Sequence, residues 1–244
     1  MLPLSTIRPP MRLHPESLAR GVPTLVVMCT RPRLGPAKSR PAASSDERTA
    51  LDLSQALVDC AIEDAEAWAG PVVLALAQPN DLQWAGTVAR REWSIVGQTS
   101  GNTGERINAV DQVLRRHGAR ELVFVGTTAA LQPQADYATV CDLLASNDTV
   151  VMPAQSGGAA LMAARRPWPE LATLSWNTRR LSAELAYLCE REGLSVARLE
   201  RRPIVESLED LPRIIEADAK DSRPKREALV ALARRVLESR AATP

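Results

Sequence analysis

The sequence predicts an α/β fold built on a mostly parallel sheet. Three observations support this: aliphatic, β-branched runs alternate with amphipathic segments, a long helical segment joins the first two runs, and 244 residues suffice for a full core. The first two runs are residues 25–28 and 71–77, with helical periodicity over residues 50–68 between them. Because such a crossover is almost always right-handed, we expect these two strands to be parallel.

Further segments continue this alternation. Strands are predicted at residues 93–97, 121–126, 149–152 and 194–199, and helices at residues 81–90, 135–145, 205–211 and 220–239. Two more helices should begin at Asn102 or Thr103 and after residues 176–178, and Ser44 with Glu47 has capping-box spacing for the first long helix. We therefore expect an extended arm at residues 1–21, one domain at residues 22–218, and a C-terminal helix and tail at residues 219–244.

The composition argues against several classes of protein. Thirty Lys and Arg residues against 29 Asp and Glu residues leave a formal net charge of +1, which disfavours nucleic-acid binding. The four cysteines form no CxxC or Cys/His cluster, so we expect reduced, mostly buried thiols, and a lone His14 is expected to be exposed rather than a metal ligand. No apolar run approaches the roughly 18 residues of a membrane span. We expect a cytoplasmic protein whose last helix docks on the domain or forms a homodimer.

A cationic, turn-rich segment follows the first strand. This basic loop, residues 31–40, contains Arg31, Arg33, Lys38 and Arg40 together with Gly35 and two prolines. In open α/β sheets, ligands bind where loops leave the carboxyl ends of the strands. The basic loop is therefore a candidate anion site, and a solvated basic loop is the alternative.

Two glycine-containing segments lie farther along the chain. Gly101 and Gly104 lead into a helix, whose free N–H groups suit a phosphate, although a purely structural turn is the alternative. Gly157 and Gly158 follow the predicted strand at residues 149–152 and precede a small, apolar run at residues 159–164. Glycines at such a place let the backbone approach another group closely.

Taken in order, these motifs resemble one family across residues 22–218. The segments concerned are residues 32–40 (PRLGPAKSR), 101–107 (GNTGERI), 153–158 (PAQSGG) and 176–178 (WNT). They match the patterns P-x-P-G-x-x-K-T-R-L, G-D-L-G-E-R-M, P-A-x-D-G-G and W-S-T. The chain thus resembles bacterial glycosyltransferase-like proteins grouped with arsenosugar-biosynthesis glycosyltransferases, in the nucleotide-diphospho-sugar transferase (GT-A) superfamily that includes the molybdenum-cofactor guanylyltransferase.

The resemblance implies a three-layer, Rossmann-like GT-A sheet with helices on both faces, and a site that binds a nucleotide or nucleotide sugar. The implied nucleotide and phosphate contacts come from Arg31, Gly35, Lys38, Arg40, Gly101, Gly104, Arg106 and Thr128. The implied acceptor side is formed by Ser156, Gly157, Gly158 and Trp176. Lys38 would meet phosphate as a point charge and Arg40 as a planar fork, while Arg106 would pair beside Glu105 or with phosphate.

The sequence departs from the family at its metal ligands. The family places an aspartate after the fourth strand, where this chain has Thr128, and another in the D-G-G segment, where it has Ser156. In the D-V-D-T-P-E-D-L segment, now residues 204–211, Glu206 is the one retained carboxylate that could hold Mg²⁺ or Mn²⁺ with a nucleoside diphosphate. Metal-independent transfer, stabilised by the loop cations, is the alternative.

Three hypotheses follow from these motifs. The first is a transferase that uses a nucleotide-activated donor, with no catalytic residue assigned. The second is a catalytically degenerate relative that binds or scaffolds. The third is a nucleotidyltransferase similar to phospholactate guanylyltransferase, which also carries a K-T-R-like loop after its first strand.

Overall fold

A computed structural model describes residues 11–34, 46–129, 132–217 and 221–241. Over these residues the chain forms one seven-stranded sheet. Its strands are β1 (Thr24–Cys29), β2 (Val72–Leu76), β3 (Ser94–Gly97), β4 (Leu122–Gly126), β5 (Thr149–Pro153), β6 (Ala159–Ala164) and β7 (Val196–Arg198). The spatial order is β3-β2-β1-β4-β6-β5-β7.

The sheet is parallel apart from β6, which runs antiparallel to its neighbours β4 and β5. The chain moves outward from β1 through β2 to β3, then returns to place β4 on the other side of β1. Met28 of β1 stands opposite Gly126 of β4 in this pairing. The strand order therefore reverses between β1 and β4, which is the position at which open α/β sheets form a ligand crevice.

Helices cover both faces of the sheet, as the predicted three-layer α/β fold requires. They are α1 (Pro15–Leu18), α2 (Glu47–Ala67), α3 (Leu82–Val88), α4 (Thr103–Arg116), α5 (Gln134–Leu144), α6 (Leu181–Arg191), α7 (Leu211–Ala217) and α8 (Pro224–Ala241). Leu25 and Val27 of β1 pack with α2 and α5, whereas Val26 packs with α4 and α6 on the opposite face. This alternation follows from the two-residue period of a strand, and the fold-class prediction is confirmed.

Some local predictions were wrong. Helix α2 begins at Glu47 with Asp46 as its N-cap, whose carboxylate accepts the Thr49 N–H at 2.9 Å, so Ser44 is not the cap and lies outside the described residues. The apolar run at residues 159–164, for which no structure was predicted, is strand β6. The helix near residues 205–211 begins later, as a 3-10 turn at Leu208–Asp210 followed by α7.

Residues before β1 cover the free edge of β3. Arg12 forms an antiparallel bridge with Ile95, with reciprocal backbone hydrogen bonds of 2.8 and 2.6 Å. Its guanidinium donates to the carbonyls of Arg90 and Trp93. The segment thereby satisfies edge groups that would otherwise be open to pairing with another chain.

Helix α8 packs on the domain through α2 and α7. Leu229, Ala233 and Val236 of α8 share a buried cluster with Leu53 and Leu57 of α2. Docking of this helix on the domain is confirmed, and a homodimer stays a prediction. No helix among the described residues is long and apolar enough to cross a membrane.

A buried charge network joins α8 to α2 and α5. Arg226 is fully buried, and its Nη2 donates to both Asp64 oxygens at 2.8 and 3.0 Å. Arg223 Nη1 and the Tyr137 hydroxyl also donate to Asp64, at 2.6 and 2.8 Å. Burial, together with the Asp64 carboxylate, raises the pKa of the Tyr137 hydroxyl well above its ordinary value. Asp64 is thus the buried carboxylate that pairs with Arg226, whereas the partly exposed Arg223 also pairs with Asp221.

Replacing Asp64 by Asn should destabilise the fold strongly. The change keeps the side-chain volume but leaves the buried Arg226 without its counter-charge, which should lower the free energy of unfolding by about 3 kcal/mol or more. Asp52→Asn is the matched control on the same helix, since its partner Arg48 is exposed, and it should change stability by less than about 0.5 kcal/mol. Urea unfolding measures both variants. Equal losses in the two would contradict a special role for Asp64.

A second internal ion pair fixes α4 to the end of β6. Arg115 Nε donates to both Asp111 oxygens at 3.0 and 3.1 Å, and its Nη2 donates to the carbonyls of Ala164 and Arg166. Burial raises the pKa of the Asp111 carboxyl to about 6, although the neighbouring Arg115 opposes the rise. The native state therefore holds this proton more tightly than the unfolded chain does.

The raised pKa of Asp111 predicts a pH-dependent stability. As the pH rises from about 4 to about 7, the free energy of unfolding of the wild type should fall by up to about 3 kcal/mol relative to that of Asp111→Asn. Only the wild type must ionise a buried carboxyl over this range. Urea unfolding of both proteins across this range measures the difference. A difference that stays constant with pH would show that Asp111 is already ionised at pH 4 in the folded protein.

Candidate functional site

The predicted site residues that the structure describes converge on one edge of the sheet. This carboxyl edge is the one at which the parallel strands end, and it carries the segments that follow β1, β3, β4 and β5. They are residues 30–34, 98–102, 127–129 and 154–158. Because β6 is antiparallel, the last of these segments is a hairpin that returns into the sheet at the same edge. Gly35, Lys38 and Arg40 lie outside the described residues.

The start of the basic loop is held by a buried carboxylate. Arg33 donates to Asp81, which lies in the 3-10 turn after β2 and is 1% exposed. Burial and the nearby Asp81 together raise the pKa of the Cys29 thiol to about 12, so this cysteine is not a reactive thiolate. Arg31 is exposed and forms no ion pair with a described residue. Arg31 is therefore the described loop cation that remains available for a ligand.

The Gly101–Arg106 turn is stabilised by its own side chains. Asn102 Oδ1 accepts the Glu105 N–H at 3.0 Å, and Glu105 Oε2 accepts the Asn102 N–H at 2.6 Å, which completes a capping box. Gly101 has a φ of +112°, where L-residues are strained, and Arg106 Nε donates to its carbonyl at 2.9 Å. Glu105 and Arg106 thus shape the loop, which agrees with the pairing beside Glu105 expected for Arg106.

Gly104 permits a close contact between α4 and the chain at residues 171–176. A Cβ at this position would overlap the Leu171 carbonyl and approach Trp176 Nε1 to 2.6 Å. Trp176 Nε1 itself donates to the Leu171 carbonyl at 2.8 Å. The contact gives both Gly104 and Trp176 a packing role beside the glycine loop.

The end of β4 carries hydroxyl and methyl groups where the resemblance places an acid. Thr127, Thr128 and Ala129 form a short 3-10 turn directly after Gly126. The carbonyl of Thr128 accepts the Val205 N–H at 2.9 Å, which draws residues 202–206 across the carboxyl ends of β5 and β4. Thr128 lies at the strand-order reversal and presents no negative charge.

The hairpin between β5 and β6 is fitted closely against the start of α6. Gly157 has a φ of +92°, its carbonyl accepts the N–H and hydroxyl of Ser182, and a Cβ there would overlap the Arg179 carbonyl. The Gly158 carbonyl accepts the Ala154 N–H at 2.8 Å. Ser156 Oγ is buried and has no hydrogen-bond partner among the described residues. The Ser156 hydroxyl is therefore unpaired among the described residues and is available for a hydrogen bond.

The carboxylates near the end of β7 serve local structure. Asp210 Oδ2 accepts the N–H groups of Glu206 and Ser207, each at 2.9 Å. Arg202 makes a two-bond pair with Asp136 at 2.5 and 2.7 Å. Among the described residues, no three His, Cys, Asp or Glu side chains cluster as metal ligands would. Glu206 alone does not provide the ligand set that Mg²⁺ or Mn²⁺ needs beside a diphosphate.

A separate cleft of about 460 Å³ lies at the opposite edge of the sheet. It is bordered by residues before β1, the end of α2 and the turn before β3, including His14, Trp68 and Trp93. None of the predicted site residues lines it. We place the candidate site at the carboxyl edge, because the strand-order reversal and the loop cation coincide there.

Comparisons with known proteins agree with this topology. The chain superposes on a protein from Desulfovibrio desulfuricans G20 described as a "putative nucleotide-diphospho-sugar transferase", with a TM-score of 0.76, 18% identity, and coverage of 90% of this chain and 95% of the other. The two proteins share one fold. Residues 61–178 also match the model of a family described as "Uncharacterized protein conserved in bacteria (DUF2064)". A search of curated proteins finds no match.

Two nucleotidyltransferases share the fold at greater distance. A cytidylyltransferase from Leptospira borgpetersenii serovar Hardjo-bovis has a TM-score of 0.53 and 10% identity, covering 90% of this chain and 95% of the other. CMP:2-keto-3-deoxy-manno-octonic acid synthetase complexed with CTP has a TM-score of 0.53 and 12% identity, covering 82% of this chain and 100% of the other. Structural similarity at 10% and 12% sequence identity shows a shared fold. The activity has to be argued from the residues of the site.

Several residues that build the site were not predicted from the sequence. Asp81 anchors Arg33, Asp210 caps the turn after Glu206, and Gln98 Nε2 donates to the Ala75 carbonyl at 2.7 Å from a buried position. A polar residue directly after a buried strand was a usable signal for Gln98, whereas Asp81 lies five residues after the end of β2. No local pattern marks the Arg202–Asp136 pair, because its partners are separated by 66 residues.

A methyl group at Gly104 should destabilise the protein by overpacking. Gly104→Ala must displace the Leu171 backbone, so we expect a loss of about 1–3 kcal/mol in the free energy of unfolding. Gly86→Ala in α3 is the matched control, since a Cβ there meets nothing within 4 Å, and helix propensity should stabilise this variant by up to about 1 kcal/mol. Urea unfolding measures both. Equal effects of the two substitutions would refute the close contact at Gly104.

Proposed function

We propose that this protein binds a nucleoside diphosphate at the carboxyl edge, between the ends of β1 and β4, and uses the corresponding nucleotide sugar as a donor for group transfer. The observation that carries the proposal is the position of Arg31, an exposed loop cation beside the strand-order reversal. An anion at this place would lie next to the turn that follows β4. The shared fold with nucleotide-diphospho-sugar transferases supports the same assignment.

The physical chemistry of the edge favours a diphosphate over other anions. The sequence adds Lys38 and Arg40 to Arg31 in the same loop, and several cations suit a ligand with more than one negative group. The turn at Gly101 and Asn102 leads into the amino terminus of α4, which favours negative charge. In this proposal Thr128 lies at the nucleotide, and Ser156 Oγ offers its free hydrogen bond on the acceptor side.

A nucleotidyltransferase is the second candidate. It is favoured by the cytidylyltransferase fold at a TM-score of 0.53, because those proteins use the same sheet. The two functions differ in their products. Transfer from a nucleotide sugar releases a nucleoside diphosphate, whereas nucleotidyl transfer from a triphosphate releases pyrophosphate. Binding without turnover is the remaining candidate, and the replacement of two family aspartates by Thr128 and Ser156 favours it.

Calorimetry with UDP, GDP, CDP and ADP should detect binding of at least one nucleotide. Arg31→Gln is expected to weaken that binding about tenfold, because a charge-assisted hydrogen bond to phosphate is lost. Lys38→Ala should weaken it similarly. Arg91→Gln is the matched control, since it removes the same charge from the opposite edge of the sheet, and its affinity should equal that of the wild type.

The thermal midpoint of each variant separates binding from folding. Arg31→Gln should leave the midpoint nearly unchanged, because an exposed side chain away from the core contributes little to stability. No binding at millimolar nucleotide would refute the proposed function. If Arg31→Gln and Arg91→Gln weaken nucleotide binding equally, the binding site does not lie at the basic loop.

A further inference from the structure

Residues 171–180, which precede α6, lie along the carboxyl edge. At one end of this segment, Asn102 Nδ2 donates to the Ala172 carbonyl at 2.9 Å. At the other end, the Arg179 backbone packs so closely against Gly157 that a Cβ on the glycine would overlap it. The segment therefore connects the turn before α4 with the hairpin between β5 and β6.

Hydrogen bonds around the start of α6 fix the contact with the hairpin. The Gly157 carbonyl accepts the Ser182 N–H at 3.2 Å and the Ser182 hydroxyl at 3.1 Å. Thr178 Oγ1 accepts the Arg180 N–H at 3.3 Å. Arg179 lies between these contacts, so it is held beside the hairpin by interactions that do not use its guanidinium.

The two neighbouring arginines of this segment differ in what their side chains contact. Arg180 Nε lies 3.3 Å from Glu184 Oε1, and Glu184 Oε2 accepts the Ser175 N–H at 3.0 Å. Arg179 is exposed, and its side chain forms no ion pair or hydrogen bond with a described residue. Glu184 is therefore engaged with Arg180, and the positive charge of Arg179 is available to a ligand.

Two further groups accompany Arg179 at this edge. Ser156 directly precedes Gly157, and its buried Oγ has no hydrogen-bond partner among the described residues. Trp176 is half-buried, and its Nε1 already donates to the Leu171 carbonyl. One positive charge, one unpaired hydroxyl and an aromatic side chain suit a small polar molecule that carries an acidic group.

We propose that Arg179 and Ser156 bind the acidic group of the acceptor, and that the acceptor is a small hydroxyl compound bearing a carboxylate or a phosphate. The inference rests on the proposed function and names the acceptor class for the same site. The planar guanidinium can donate two parallel hydrogen bonds to either acid, and the Ser156 hydroxyl can donate another. In the transfer, the acceptor oxygen bonds to the anomeric carbon of the sugar, the diphosphate leaves with the electron pair of the broken bond, and the hydroxyl proton passes to water.

Ligand-detected NMR titrations with glycerol, glycerate and glycerol phosphate test the acidic group, because the three compounds share a carbon frame and differ at one end. The wild type, saturated with the best-binding member of UDP, GDP, CDP and ADP, should bind one of the two acids about tenfold more tightly than glycerol. The acid that binds more tightly identifies the acceptor as a carboxylate or a phosphate. Equal affinities for all three compounds would overturn the inference.

Arg179→Gln should weaken binding of the preferred acid about tenfold and leave glycerol binding unchanged. Arg180→Gln is the matched control, since it removes the same charge from the next residue, whose guanidinium pairs with Glu184, and it should bind the acid like the wild type. Ser156→Ala should weaken acid binding about threefold without lowering the thermal midpoint, because it breaks no side-chain hydrogen bond among the described residues. Equal losses in Arg179→Gln and Arg180→Gln would overturn the assignment of Arg179.

Nucleotide calorimetry separates this inference from the proposed function. Arg179→Gln should bind the nucleotide like the wild type, whereas Arg31→Gln should bind it more weakly. If the wild type binds a nucleotide but neither acid, the inference is overturned and the proposed function stands. If the wild type binds no nucleotide, the proposed function is refuted, and the acceptor role of Arg179 is refuted with it.

Discussion

The reversal of strand order between β1 and β4 is the constraint on which the rest of the molecule depends. In a parallel sheet, the loops that follow the strands all lie at one edge. Because the strand order reverses between β1 and β4, the chain turns in opposite directions after these two strands, which separates their loops. Residues 30–34 and the Thr127–Ala129 turn therefore lie at the same edge of the sheet. Antiparallel β6 adds the hairpin with Ser156 to the same edge, so four chain segments meet there without being close in sequence.

Buried strands were the features most readily predicted from the sequence. Residues 25–28 and 122–125 are continuous apolar runs, and both lie in central strands of the sheet. Strand β6 escaped prediction because the Ala-rich run at residues 159–164 has neither β-branched residues nor alternation. The hairpin between β5 and β6 is local, but the pairing of β6 with β4 joins segments more than 30 residues apart and cannot be read from local patterns.

The motif residues divide into two physical roles. Gly104 lets α4 pack against residues 171–176, which include Trp176, and Glu105 belongs to the cap of the same helix. The spacing of these residues in the sequence therefore reflects packing and capping as well as any ligand contact. Sequence could locate this segment, but it could not separate the two roles, because a glycine at a close contact and a glycine at a phosphate look the same. The groups that surround the glycine distinguish the two roles, and at Gly104 these groups are Leu171 and Trp176 of the protein itself.

The balance of charges then indicates where anion binding can arise. A net charge of +1 leaves no long-range field to attract a nucleotide, and Arg33, Arg115, Arg202 and Arg226 all pair with carboxylates inside the fold. Attraction must come from cations without such partners, and Arg31 stands among these at the strand-order reversal. Arg31 forms no ion pair with a described residue, so its charge is available to an anion at this edge.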